Sequence, residues 1–490
     1  MATVEAKKHH ELYKELGTIV GPKYVSDERA VLLSYTRDIS AFPAAKPQGV
    51  VARPGSVQEV VELVKLANHT RTPLIPMGGK NSYSGVPDGQ PGRGIVVDMR
   101  RMNKVLEIDE VNMAVTVQAG IHLGEMLSRV NERGWGVHGA LMPHYGDTVG
   151  GQLSGYAGGG WGQYGPSVGF NGHHYLLGLK VVLPDGSVVD TGSGEGGISS
   201  YRGHTFTKLM HGPDFSGIFL CDSGMFGIKV EATYRMFRPP KFQKDGVRYW
   251  DNPDGPNEVL NELWEIDPHL YMQPYSRFIV LSPKIPGSSE EIWFLHWLSL
   301  GNSEEELKLK FKTVEAACAK HGAKLPDPAI ADAMIERLGV HENWEVGKLA
   351  NMGQMPFFEL VVSKRDLMES IKWACEYLDN LIIKMSKAGI DTSNIPLNRT
   401  FLPAGPEGIG IIAVCPFFNQ SNKEAHKMVY EGFLEFLEQA HRRGYSFDGT
   451  HNNGSKYKAR FWTPQYYAFV STLKKTLDPN NIMNPGVYNF

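Results

Sequence analysis

The chain has 490 residues, several times the roughly 150 residues of a common domain, so it holds two or three structural units or one large domain with insertions. With 42% hydrophobic and 10% aromatic residues it can bury a sizeable core, which excludes a disordered chain. Fifty basic residues against 53 acidic ones leave a net charge of −3, too weak a field to gather nucleic acid or an anionic membrane surface.

Residues 1 to about 45 read as a helical lead-in that ends in Tyr35, Arg37, Asp38 and a proline-containing connector. Ser56-Val57-Gln58-Glu59 is a capping box, and the helix it opens carries Val60, Val61, Leu63, Val64 and Ala67 on one face. A short buried strand, Leu74 to Met77, runs directly into the small-residue loop Gly78 to Gly85. Strands follow at 95–99, 105–109 and 114–118, then a helix from His122 to Arg133 closed by Gly134. The stretch from Met142 to Gly172 is dense in glycine and reads as ordered loop. A hairpin turns at Pro184-Asp185-Gly186, a strand starts at Ile228, and Arg238-Pro239-Pro240 marks a boundary.

Beyond residue 241 the composition is ordinary. Helices are predicted over 303–321, 363–388, 422–443 and 464–477, with strands at 276–282, 292–298, 357–362 and 410–414. Cys221, Cys318, Cys375 and Cys415 are widely spaced with no C-x-x-C pair, so they predict reduced thiols rather than a zinc, iron–sulfur or dithiol centre. The charged N-terminal stretch lacks a signal-peptide core, and no apolar run reaches the ~18 residues of a membrane span. The expectation is a soluble, cytoplasmic protein with no nucleic-acid or membrane partner and no metal.

Gly160-Trp161-Gly162-Gln163-Tyr164-Gly165 has the form of the dinucleotide fingerprint, but that chemistry requires a strand before it and a helix after it. Pro166, Gly169 and Gly172 oppose the helix. No Walker A sequence or H-E-x-x-H helix occurs. The loop Gly78 to Gly85 is more informative, because small residues expose successive backbone N–H groups that suit a diphosphate. Together with the glycine-dense stretch and the turn Asp222 to Ile228, it suggests backbone approaching one extended ligand.

Those segments resemble, in order, the vanillyl alcohol oxidase and p-cresol methylhydroxylase flavoprotein superfamily. The blocks are Pro76-x-Gly78-Gly79-Lys80-Asn81, Val97-Asp98-Met99, Val117-x-Ala119-Gly120, Thr148-Val149-Gly150-Gly151, Tyr164-Gly165, Gly178 to Gly186, Ser223 to Ile228 and Leu477-Asp478-Pro479-Asn480-x-Ile482-x-Asn484-Pro485-Gly486. The resemblance implies an α+β fold: a two-part FAD-binding domain of the p-cresol methylhydroxylase type over 1–240, an α+β cap over 241–440, and a return to the FAD domain over 441–490. It implies that Pro76, Gly78, Gly79, Lys80, Asn81, Ser82, Tyr83, Ser84 and Gly85 lie on the pyrophosphate. Pro143, Asp147, Thr148, Val149, Gly150, Gly151, Ser154, Tyr164 and Gly165 follow along ribityl and isoalloxazine, Gly224, Gly227 and Ile228 lie near adenosine, and Asn484 completes the cofactor set from the closing segment.

Relatives with a histidyl link to flavin carry histidine where this chain has Lys80. Bicovalent ones add a cysteine where this chain has Tyr145, Gly146 and Asp147, and the cap stretch offers only Ile411 and Ile412. Noncovalent FAD is expected. Gly449 to Gly454 resembles the Gly-Glu-His-Gly-x-Gly segment of glycolate and D-lactate dehydrogenase relatives and gives His451, while Thr450 replaces the glutamate and the metal histidine pair is missing. Gly454 to Arg460 resembles the Gly-x-Tyr-Arg segment of phenol-oxidising members, with Tyr457 and Lys458 in the places of the phenolate-holding pair and Arg460 in the same cluster. Asp147 is the acid nearest the position where those members hold an aspartate beside the flavin.

Three activities stay open. One is FAD-dependent removal of hydride from a 4-hydroxybenzylic or 4-alkylphenolic substrate. Another is the same chemistry on a 2-hydroxy acid, sugar or other alcohol. A third is a flavoprotein subunit that passes electrons to an acceptor protein such as a cytochrome. A small-molecule substrate is expected in every case, and a homodimer accords with the family.

Overall fold

The computed structural model describes residues 2–38, 40, 43–81, 86–89, 91–137, 146–155, 175–194, 203–208, 213–266, 276–283, 292–338, 358–392, 397–403, 409–416, 421–447 and 454–490. Among these, helices and strands alternate in an α+β architecture built on three sheets.

The first sheet has the order β1-β2-β4-β3, formed by Val25–Ser26 (β1), Val50–Ala52 (β2), Leu74–Met77 (β3) and Ile95–Asp98 (β4). Strands β2, β4 and β3 are parallel, and the apolar run Ile95-Val96-Val97 is buried as parallel strands require. Helices Ala2–Val20 (α1), Arg29–Leu33 (α2) and Val57–Thr70 (α3) belong to this unit. Helix α3 starts because the Ser56 hydroxyl accepts the Glu59 N–H at 3.2 Å while the Glu59 carboxylate reaches back to Gly55 N–H at 2.8 Å. It stops at Arg71 in the left-handed region, φ 53°. Its five predicted apolar residues are all buried, each worth roughly 1.5–3 kcal/mol, against Leu74, Ile95 and Val97.

The second sheet contains Val105–Asp109 (β5), Ala114–Gln118 (β6), Gly136–Val137 (β7), Leu176–Val182 (β8), Val188–Asp190 (β9) and Ile228–Phe237 (β10), in the order β5-β6-β10-β8-β9 with β7 beside β10. Helix Leu123–Asn131 (α4) buries Leu123, Met126, Leu127 and Val130, an i, i+3, i+4, i+7 stripe. Within the glycine-dense stretch, read as loop, residues Val149–Gly155 form a helix (α5) because Val149, Gln152 and Leu153 are buried there. Tertiary burial overrides the poor helix propensity of its glycines.

The third sheet is antiparallel throughout, in the order β11-β13-β12-β15-β16-β14-β17. Its strands are Phe242–Trp250 (β11), Ser276–Pro283 (β12), Trp293–Gly301 (β13), Phe358–Ser363 (β14), Leu397–Pro403 (β15), Ile409–Pro416 (β16) and Ser446–Phe447 (β17), with helices Asp254–Ile266 (α6), Glu304–Lys320 (α7), Pro328–Leu338 (α8), Leu367–Lys387 (α9) and Lys423–Arg442 (α10). Trp293, Leu295 and Trp297 of β13 and Phe358, Leu360 and Val362 of β14 share one core with helices α6, α7, α9 and α10. Side chains alternate along a strand, so His296 and Glu359 point to the opposite face. Strands β11 and β15 and helices α6 and α8 carry no pattern that the sequence reading used.

The chain ends with Ser455–Ala459 (α11) and Pro464–Leu477 (α12). Ala459, Val470, Val487 and Tyr488 enter the core of the second sheet, and Ile482 and Met483 that of the first. Met483 lies beside Leu74, whose backbone N–H donates to Ile482 O at 2.7 Å and whose carbonyl accepts from Asn484 N–H at 2.8 Å. Among the described residues no helix is long and apolar enough to cross a membrane.

Candidate active site

The loop expected to hold a diphosphate begins where β3 ends. A side chain on Gly78 would land on the Thr148 hydroxyl, and one on Gly79 on the Gly146 carbonyl, so only bare backbone fits between these two segments. Asn81 donates from its side chain to the Asp147 carboxylate, while burial pushes that carboxyl up to about 7. Lys80, at φ 62°, turns its side chain outward: Nζ donates to Ser34 O at 2.7 Å and lies 4.7 Å from the Tyr35 ring centroid. Burial, then the nearby Arg100, lowers the pKa of this amine.

Tyr35 in turn donates to Asp98 Oδ2 at 2.7 Å, and Arg100 grips the same carboxylate through Nε at 2.9 Å and Nη2 at 2.7 Å. Burial and the Asp98 charge raise the Tyr35 phenol to about 12. Burial opposes ionisation of Asp98, but the bonds from Arg100 and Tyr35 still hold it below the usual carboxylate range. Ser82, Tyr83, Ser84 and Gly85 lie outside the described residues.

The second segment is fastened by backbone bonds: Leu123 N–H to Asp147 O at 2.8 Å, Val149 N–H to Ile121 O at 3.0 Å and Gly150 N–H to Ala119 O at 2.7 Å. Thr148 Oγ1 accepts from Gly151 N–H at 3.3 Å, and Ser154 O accepts from Ser223 N–H at 2.8 Å, which brings the 222–228 turn alongside α5. Asp222 shapes that turn by accepting from Gly224 N–H at 3.0 Å and from the buried Lys229 ammonium at 2.7 Å. Gly224 lies over Pro76, whereas Gly227 is backed by Val181 and Val182 and Ile228 is core. Asn484, at φ 44°, donates Nδ2–H to Ser223 O at 2.6 Å. Its Oδ1 is buried and finds no partner among the described residues. Pro143, Tyr164 and Gly165 lie outside the described residues.

Gly78 to Asn81, Gly146 to Gly151, Ser223-Gly224 and Asn484 thus gather beyond the end of β3. The bare backbone at Gly78 and Gly79, and the Asn484 oxygen without a partner among the described residues, fit an extended ligand that brings both a diphosphate and hydrogen-bond donors, as FAD does.

The Tyr457 hydroxyl lies 2.7 Å from that of Tyr430 on α10. Lys456 Nζ stands 5.4 Å from the Tyr457 ring centroid and 3.6 Å from Asp88, in the stretch after the 78–85 loop. Lys458 is half-buried on the same short helix. Arg460 is exposed and pairs with Glu438 at 3.3 Å, beside a surface cleft of about 160 Å³ between α10 and the segment after α11. His451 lies outside the described residues.

Tyr430, Lys456 and Asp88 escaped the sequence reading, since nothing in their local pattern distinguishes them. The same holds for two buried polar groups on the face of the third sheet away from its helices: Glu359, and His296, whose Nε2 lies 2.7 Å from Asp245 Oδ1. No group of three His, Cys, Asp or Glu residues able to hold a metal occurs among the described residues.

Residues 48–192 match the family model described as an FAD binding domain, and residues 405–488 match that of the FAD linked oxidases, C-terminal domain. The glycolate oxidase subunit GlcD of Bacillus subtilis is 24% identical, covering 97% of this chain and 96% of that protein. The D-lactate dehydrogenase of Anaerostipes hadrus is 28% identical over 97% of this chain and 96% of its own. In fold, a solved structure of the 4-ethylphenol oxidase from Gulosibacter chungangensis, in complex with isoeugenol, covers 99% of this chain and 97% of its own with a TM-score of 0.80 at 18% identity. With an FAD binding domain and a C-terminal domain of the FAD linked oxidases on one chain, and a fold like that of 4-ethylphenol oxidase along its full length, the protein is an FAD-dependent oxidoreductase.

Proposed function

We propose that this oxidoreductase removes hydride from the C–H carbon next to the ring of a 4-hydroxybenzylic or 4-alkylphenolic substrate. FAD, when bound, supplies the hydride acceptor. The observation that carries the reading is the Tyr430–Tyr457 hydroxyl pair, phenol O–H groups of the kind that stabilise a phenolate oxygen. Ionising a phenol pushes electron density through the ring to the para carbon and eases hydride loss from the carbon attached there. Tyr457 and Lys458 would hold the phenolate, and Asp147, titrating at about 7, has the pKa of a useful proton acceptor. His451 remains a candidate for the flavin side.

The same reading divides the chain into an FAD-binding part over 1–240, a cap over 241–440 and a return over 441–490. The break at Arg238-Pro239-Pro240 between β10 and β11 supports the first division, and the burial of Ile482 and Met483 under the first sheet supports the last. FAD is held without a covalent bond. Lys80 stands at the position of the histidyl link and spends its amine on Ser34 O, which favours that view.

A second reading, oxidation of a D-2-hydroxy acid, is favoured by the two full-length relatives named for glycolate and D-lactate. Anaerobic mixing with para-alkyl phenols, hydroxybenzylic alcohols and D-2-hydroxy acids, followed by flavin absorbance, separates the two. Bleaching by the phenolics alone is the expected result. Bleaching by hydroxy acids alone would sink the first reading and establish the second.

A further inference from the structure

Building on the phenol reading above, we propose that Tyr430 is a positioning residue of the substrate site, setting the Tyr457 hydroxyl so that it donates to an ionised phenol oxygen. The two hydroxyl oxygens are 2.7 Å apart and partly buried. Neither ring is loosely placed. On α10, Val429 and Phe433 flank Tyr430 and are buried in the core of the third sheet, and both tyrosine rings pack on that same core. Lys456, 5.4 Å from the Tyr457 ring centroid, is anchored 3.6 Å from Asp88. The pair therefore joins the stretch after the 78–85 loop, the helical layer of the third sheet and the closing segment.

Between two hydroxyls only one proton occupies the bridge. When Tyr430 donates, Tyr457 accepts, and the incoming bond polarises the O–H of Tyr457 itself. An anionic oxygen gains most from such a donor, because charge-assisted hydrogen bonds are about twice as strong as neutral ones. Burial, then Tyr457 and Asp88, holds the Tyr430 phenol far above an ordinary tyrosine, so it stays protonated throughout the neutral range. A phenol ether offers no anion and gains little. The arrangement thus selects for an ionisable para-hydroxyl rather than for the aromatic ring as such.

The test uses flavin-loaded protein and two ligands without a benzylic C–H: a para-halophenol and the matching para-haloanisole methyl ether, carried on a ring that cannot be oxidised at the para position. Binding is read from the perturbation of the oxidised flavin spectrum. Tyr430→Phe should weaken halophenol binding by about tenfold, leave the ether and the flavin content unchanged, and raise the apparent phenol pKa in the pH profile of binding. The double variant with Tyr457→Phe should bind halophenol no more weakly than Tyr457→Phe alone. Equal halophenol affinity in wild type and Tyr430→Phe overturns this inference alone, and so does an equal loss for both ligands. Wild-type protein that does not distinguish halophenol from its ether overturns the phenol reading and this inference with it.

Discussion

Asn484 donates its side-chain N–H to the carbonyl oxygen of Ser223 at 2.6 Å, across 261 positions of chain. Its backbone N–H goes to Leu74 at 2.8 Å, so one residue knots the closing segment to the first sheet and to the 222–228 turn. Asn484→Ala removes the side-chain bond and places alanine in a left-handed conformation, φ 44°. The expected loss is about 1–3 kcal/mol in urea unfolding. Asn484→Gly tolerates that φ and isolates the side-chain share of the loss. Wild-type stability in both variants would mean that the knot contributes nothing.

Gly79 has the Gly146 carbonyl where a side chain would stand. Gly79→Ala must push these two segments apart, and FAD should be retained about tenfold less well, a change of ~1.4 kcal/mol. The ratio of flavin to protein absorbance after dialysis measures this directly. An undiminished ratio would show that these segments do not hold the cofactor.

Burial pushes the Asp147 carboxyl up to about 7 from an ordinary value of 3.8. Between those values the folded chain holds a proton that the unfolded chain has released, so stability falls as pH rises through the window. Asp147→Asn keeps the bond geometry with Asn81 in reach and removes the titration. Cofactor-free wild type should lose ground to this variant between about pH 4 and about pH 7 in urea unfolding. Parallel pH curves for the two proteins would contradict the raised value.

Arg460 shares its cluster with Tyr457 in sequence but pairs with Glu438 at the surface. Exposed ion pairs contribute ~0–1 kcal/mol, so Arg460→Ala should change stability by less than that and leave the reductive bleaching rate within about twofold. Tyr457→Phe should slow it. A large catalytic loss in Arg460→Ala would return that side chain to the substrate site.

What was legible in the sequence was what local chemistry decides. The Ser56 and Glu59 exchange starts α3, and the Ser303, Asn422 and Thr463 side chains each accept from the third residue of the helix they open. Strand β15 was not legible because Leu397–Pro403 mixes Asn, Arg and Pro and is a strand only through its ladders to β12 and β16. For the site, the glycines announced the cofactor, since close approach of backbone to backbone needs them in a local run. The meeting of Tyr430, Tyr457, Lys456 and Asp88 left no such trace: each belongs to a different element or faces a different neighbour, and only the fold brings them together.

The buried Lys474 ammonium donates to Asp478 at 2.6 Å, to Met225 O at 3.0 Å and to Met483 O at 2.8 Å, fixing the closing segment to the 222–228 turn made in the first half of the chain. During synthesis the first two sheets stay incomplete until Asn484 has left the ribosome, because Leu74 and the 222–228 turn lack these partners before then. Such late, long-range closure makes folding slow and leaves apolar surface exposed to aggregation in the interval. A chain truncated after Asp478 should emerge colourless, since Lys474 would have lost Met483 and the 222–228 turn its Asn484.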